Sequence, residues 1–166
     1  MTENSFTRIS RIIQASPETL YNAFLDPQIL VTWLPPAQMT GKIHHFDGRA
    51  GGGYTISLFY PPGEKKFHGK TAEKEDRVNV RFLELVAPSK IVEAISFVTD
   101  DPGLEGEMRM VASFEKLSLG TEVILLFSNL PPGLRPEDNA TGAEISLNQL
   151  AQLFEPSSAS NSLNDR

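Results

Sequence analysis

The 166-residue chain contains no cysteine, which excludes disulfides, thiol nucleophiles and cysteine-ligated zinc. Positive charge is also short: 15 lysines and arginines stand against 21 aspartates and glutamates, a net charge of −6. Nucleic acids and anionic surfaces are bound through basic clusters. The one cluster here, Lys65, Lys66 and Lys70, is broken by Phe67 and His68 and reads as a solvated loop. No nucleic-acid partner is expected. No run approaches the ~18 apolar residues that span a bilayer, and residues 1–8 lack the apolar core of a secretory signal. Membrane insertion is therefore not expected, and the default location is cytoplasmic.

Histidines are few, and the adjacent pair His44–His45 lies in a strand-like stretch. Neighbouring side chains on a strand point to opposite faces, so the two are not expected to share a metal, and no metal or other cofactor is expected. The glycine run "GRAGGGY" at 48–54 lacks the lysine and Ser/Thr of a phosphate loop and falls between two strands, which predicts a flexible hairpin. No serine sits in a G-x-S-x-G elbow, so nothing indicates a hydrolase triad.

What is present is ordinary for a globular chain: 40% hydrophobic and 22% charged residues. One domain over 6–155 is expected, with flexible tails at 1–5 and 156–166. A first strand over "TRISRIIQA" leads to Ser16, a good helix N-cap, followed by Pro17 at the first helical position. Asp26 and Pro27 repeat that signal for a second short helix, which the "PP" at 35–36 ends. Six alternating segments follow to about residue 129, joined by short turns, and predict an antiparallel meander. Met108, Met110, Ala112 and Phe114 alternate with Glu107, Arg109, Val111 and Ser113, one face dry and one wetter. The closing segment "LPPGLRPEDNATGAEISLNQLAQLFE" ends in a helix whose Ala143, Leu147, Leu150 and Phe154 form one stripe. Gly142 predicts a close approach of that helix to the sheet, and Ile145 lies opposite the stripe as a stray apolar residue or a dimer contact.

Strand, two short helices, six-strand meander and long final helix is the order of an α+β helix-grip fold, and it resembles the START-like (SRPBCC) superfamily. "DPQILVTWLPP", "FLELVAPSKIVEAISF" and the closing segment resemble the motifs of proteins similar to the activator of heat-shock-protein-90 ATPase, including the Asp138-x-x-x-Gly142 spacing. One departure is Ala143, where many relatives carry an aromatic residue. The resemblance implies a curved antiparallel sheet of about seven strands gripping the last helix around a cavity. It implies an apolar or amphipathic small-molecule ligand, lipid-like or aromatic. The expected walls are Trp33, Phe46, Tyr54, Phe82, Phe97, Met108, Met110, Leu147 and Leu150. A cyclase or aromatase using the same cavity is the first alternative, with Glu93 or His44 as acid or base. For Glu93 the leading expectation is an outer-face position paired with Arg81 or Arg109; an inward position would raise its pKa. A co-chaperone or interaction module is the second alternative. A homodimer joined at a sheet edge or along the closing helix is compatible with a domain of this size.

Overall fold

Ser16 opens the first helix as predicted: its Oγ accepts from the Thr19 N–H at 3.1 Å, and Pro17 takes the first turn, where its missing N–H costs nothing. The computed structural model describes residues 6–61 and 75–155. The lysine cluster at 65, 66 and 70 and both expected tails lie outside them. In chain order the elements are β1 (Phe6–Ile13), α1 (Pro17–Leu25), α2 (Pro27–Trp33), β2 (Thr40–Asp47), β3 (Gly53–Phe59), β4 (Glu75–Val86), β5 (Lys90–Phe97), a single 3₁₀ turn (Pro102–Leu104), β6 (Met108–Leu117), β7 (Gly120–Ser128) and α3 (Pro136–Phe154). Asp26 serves two helices. It ends α1 and caps α2, its Oδ1 accepting from the Gln28 N–H at 2.9 Å.

The strands form one seven-stranded antiparallel sheet in the order β1-β7-β6-β5-β4-β3-β2. The meander from β2 to β7 is as expected, and β1 returns to pair with β7 because its Ile9 and Ile13 need the same core as Val123 and Leu125. This is the α+β helix-grip fold. The alternation on β6 is also as read: Met108, Met110, Ala112 and Phe114 are buried, while Arg109 is exposed.

The glycine run at the β2–β3 turn has a packing cause. The Gly51 N–H donates to the Phe82 carbonyl at 2.8 Å, and the Phe82 N–H donates to the Gly52 carbonyl at 2.9 Å. The turn is thus tied to β4. A Cβ at Gly53 would collide with the Val80 carbonyl oxygen, so the close approach admits only glycine there.

The C-terminal half of α3 is fastened to β1. Arg11 donates to Asn148 Oδ1 at 2.8 Å and to Glu155 Oε1 at 3.2 Å, and Glu155 Oε2 accepts from the Gln14 N–H at 3.1 Å. Leu147, Leu150 and Ala151 are fully buried in that half. Toward its N-terminus the helix presents smaller residues, and there a space opens beneath it. Ile145 is half-buried.

Candidate functional site

The two prolines after α2 create the first construction problem of the site. The last carbonyls of a helix lack intrahelical partners, and Pro35 and Pro36 have no N–H to offer. Helix α3 supplies the donors from across the chain. Gln149 Nε2 donates to the Trp33 and Pro35 carbonyls at 2.7 and 2.8 Å, its Oε1 accepts from the Ala37 N–H at 3.0 Å, and Ser146 Oγ donates to the Leu34 carbonyl at 2.7 Å. The diproline segment is thereby clamped over α3. Replacing Gln149 by leucine is expected to cost about 2 kcal/mol of stability, since three bonds are lost and buried carbonyls are left unpaired; chemical denaturation checks it.

Trp33 solves the same problem for α1. Its Nε1–H donates to the Ala23 carbonyl at 3.1 Å, so the indole caps the end of the preceding helix. Its ring meets Phe24 edge-on with centroids 4.8 Å apart, and Phe24 meets Phe114 at 5.3 Å.

Between these helices, the N-terminal half of α3 and the concave face of the sheet lies a cavity of about 250 Å³, close to the lower end of the roughly 300–1000 Å³ of small-ligand sites. Trp33, Tyr54, Phe97, Met108 and Met110 border it. Phe46, Phe82, Leu147 and Leu150, expected as walls, do not. Phe46 and Phe82 stand behind Tyr54: Phe46 stacks on its ring at 5.3 Å, and Phe82 lies 5.9 Å from both rings. Leu147 and Leu150 belong to the half of α3 that packs down on the sheet. The helix stripe that does border the space is Asp138, Asn139, Gly142, Ala143 and Ser146. Periodicity shows which face of a helix is apolar, but not where along its length it lifts away from the sheet. A Cβ at Gly142 would meet no heavy atom within 4 Å; the glycine borders open space, and the expected close approach to the sheet is not found there.

Glu93 faces the cavity, and the outer-face expectation is overturned. It lies between Phe82 and Met110 in the strand register, both buried on the inner face. It is only 4% exposed. Arg81, its expected partner, donates instead to Glu107 at 2.8 Å on the other face, and no hydrogen bond or ion pair reaches the Glu93 carboxyl among the described residues. Burial raises its pKa from 4.5 to about 8, because the charged form loses its hydration and gains nothing in return. The Tyr54 phenol is pushed well above its ordinary value by burial and then by the nearby Glu93.

His44 lies elsewhere. A β-bulge falls in β2, where Ile43 pairs with Ile56 and His45 already pairs with Thr55. The inserted residue cancels the alternation. His44 Nε2 meets Ser57 Oγ at 2.8 Å and His45 Nε2 meets Thr55 Oγ1 at 3.0 Å. Ser57 and Thr55 share the outer face of β3, so both imidazoles reach that face, against the expectation of opposite sides. Neither borders the cavity. Ser57 donates to Glu75 at 2.6 Å, so His44 must be the donor to Ser57. The chain of bonds runs from histidine to serine to carboxylate, so His44 is not placed as the base of a Ser–His pair. Among the described residues no three His, Asp or Glu side chains are grouped to hold a metal, and no helix is long and apolar enough to cross a membrane.

The family model described as Activator of Hsp90 ATPase homolog 1-like protein matches residues 14–155. Among solved structures, protein CV1439 from Chromobacterium violaceum is similar, with 33% identity and a TM-score of 0.80 over 92% of this chain and 98% of that one. Protein Ms6760 from Mycobacterium smegmatis is 16% identical with a TM-score of 0.72, over 94% of this chain and 98% of that one. DynU16, from the dynemicin biosynthetic locus, is 14% identical with a TM-score of 0.63; 89% of this chain covers 46% of that one. No curated protein matches.

Proposed function

The chain belongs to the family of Activator of Hsp90 ATPase homolog 1-like proteins, and from that membership and the cavity we propose that it binds an apolar small molecule between sheet and final helix. The observation that carries this reading is the unfilled space lined by Trp33, Tyr54, Phe97, Met108 and Met110. Cores are ordinarily packed to crystal density, and apolar walls left apart gain their contacts only when something enters. Methionine and aromatic side chains adapt to such an occupant.

Native mass spectrometry of freshly purified protein, followed by denaturing extraction, tests it. A defined apolar compound is the expected result. The Gly142→Leu protein supplies the control: the new side chain has room to project into the space, so the fold is kept and the compound is lost. An equal load in both proteins would refute a cavity site.

A second reading is favoured by one observation. Glu93 is a cavity carboxyl with its pKa near neutrality, as an acid–base catalyst needs, which supports an enzyme of the cyclase type. Conversion of the extracted compound on prolonged incubation, abolished in Glu93→Gln, would move this reading to the front. The interaction-module reading rests on the family's name.

A further inference from the structure

Among the described residues, the charged groups that could meet an occupant's polar end are all of one sign. The charged residues bordering the cavity are Asp76, Glu93 and Asp138, and no lysine, arginine or histidine borders it among the described residues. Two of the three have structural employment. Asp76 accepts from the Tyr60 hydroxyl at 3.0 Å. Asp138 lies in the first turn of α3, where the helix dipole favours negative charge. Glu93 has no such role. It is buried in the inner face of β5 with no bonded partner among the described residues, flanked by Phe82 and Met110.

A carboxyl in that position weakens the fold, and nothing among the described residues answers it. Among the described residues, an anionic ligand such as a fatty acid would meet the Glu93 carboxyl and no lysine, arginine or histidine. A neutral ligand would leave the Glu93 carboxylate without a counter-charge. Resting on the reading of the cavity as a ligand site, we propose that its occupant is an apolar amine, a hydrophobic body whose protonated nitrogen sits against the Glu93 carboxylate. The rings of Tyr54, Phe97 and Phe127, which border the same space, add the attraction of aromatic faces for a cation.

Proton balance makes the proposal measurable. At pH 7 the Glu93 carboxyl carries a proton in the empty protein. An ammonium ligand keeps its own proton, so the complex forms by expelling the one on Glu93 to the buffer. The other titratable groups bordering the cavity are Tyr54 on β3, Asp76 on β4 and Asp138 on α3; β6 and β7 contribute none. Tyr54 stays protonated throughout, its pKa being raised.

The experiment is calorimetric titration of the whole protein with octylamine, octanol and octanoate, which share one tail and differ in the head. Octylamine is expected to bind at least about tenfold more tightly than octanol at pH 8, and octanoate not measurably. In buffers of different ionisation enthalpy at pH 7, octylamine should release about one proton and octanol none. The octylamine Kd should fall about tenfold per unit between pH 6 and 8 and then level off. In Glu93→Gln the ratio of the amine to the alcohol should drop to near one. Octanol or octanoate binding as well as octylamine, or octylamine binding without proton release, overturns the amine while leaving the apolar cavity standing. Failure of all three to bind overturns both.

Discussion

At pH 8 the Glu93→Gln protein is expected to be more stable than the unmodified one by a few kcal/mol, and its stability should lose most of its dependence on pH between 5 and 8. The Glu93 carboxyl titrates at its ordinary 4.5 in the unfolded chain and at about 8 in the fold. Between those values the folded state holds a proton that the unfolded state has released. Stability therefore falls as pH rises, with a slope a little over ~1 kcal/mol per unit. The contribution is fully present below pH 4.5 and is lost by about pH 8. Two other carboxyls act in the opposite sense but outside this window. Glu75, held low mainly by its bond from Ser57, and Asp47, held low mainly by its bond from Arg49, lose their stabilising charge only as pH falls below the ordinary carboxylate range. Glutamine keeps the shape of Glu93 and cannot ionise. Urea denaturation at pH 5, 6, 7 and 8 is the measurement. Parallel pH profiles for the two proteins would mean that Glu93 is solvated or partnered in solution, and the amine proposal would lose its charged anchor.

The same residue shows where the sequence stops being legible. Both helix starts could be read from Ser16–Pro17 and Asp26–Pro27, because capping is local chemistry. The strands could be read from alternation, and the order of elements from their turns. The face of a strand is another matter. Glu93 shares its face with Ile91 and Ile95 on any reading, but whether that face looks inward depends on its pairing with Phe82 and Met110. That register is not written in β5 itself. The bulge in β2 is the same problem in a smaller space: one inserted residue moves His44 to the side of His45, and the dipeptide gives no sign of it. The cavity walls divide along the same line. Trp33, Tyr54, Phe97, Met108 and Met110 come from the inner face of the fold, where apolar type and position suffice. Leu147 and Leu150 are equally apolar but lie past the point where α3 meets the sheet. Gln149 and Ser146 escaped notice because polar residues on a helix ordinarily face water; only the two donorless prolines at 35 and 36 hint that α2 needs partners from elsewhere.

Trp33→Ala should be the most damaging single truncation at the site, with a loss of roughly 3–5 kcal/mol, the usual range for burying and then removing a large aromatic side chain. Three effects coincide. The indole is 1% exposed, so its whole apolar surface returns to water on unfolding. Its edge-on contact with Phe24 disappears, and with it a pairing worth about 1 kcal/mol beyond area. The Ala23 carbonyl at the end of α1 loses its donor and cannot find the usual one four residues on, since that residue is Pro27 and has no N–H. Trp33→Phe separates these effects. It keeps most of the surface and the ring contact but not the N–H, so a loss of about 1–2 kcal/mol is expected from the orphaned carbonyl and the smaller ring. Against a total of about 5–15 kcal/mol for a domain, the alanine protein should be marginal at 37 °C and the phenylalanine protein folded. Thermal and urea denaturation followed by circular dichroism measure both, because the chain has a single tryptophan and either change removes its fluorescence. Equal losses in the two variants would show that the hydrogen bond to Ala23, and not the ring, holds α1 and α2 together over the cavity; a loss under 1 kcal/mol in both would mean that neither does, and that the indole's place at the cavity serves the occupant alone.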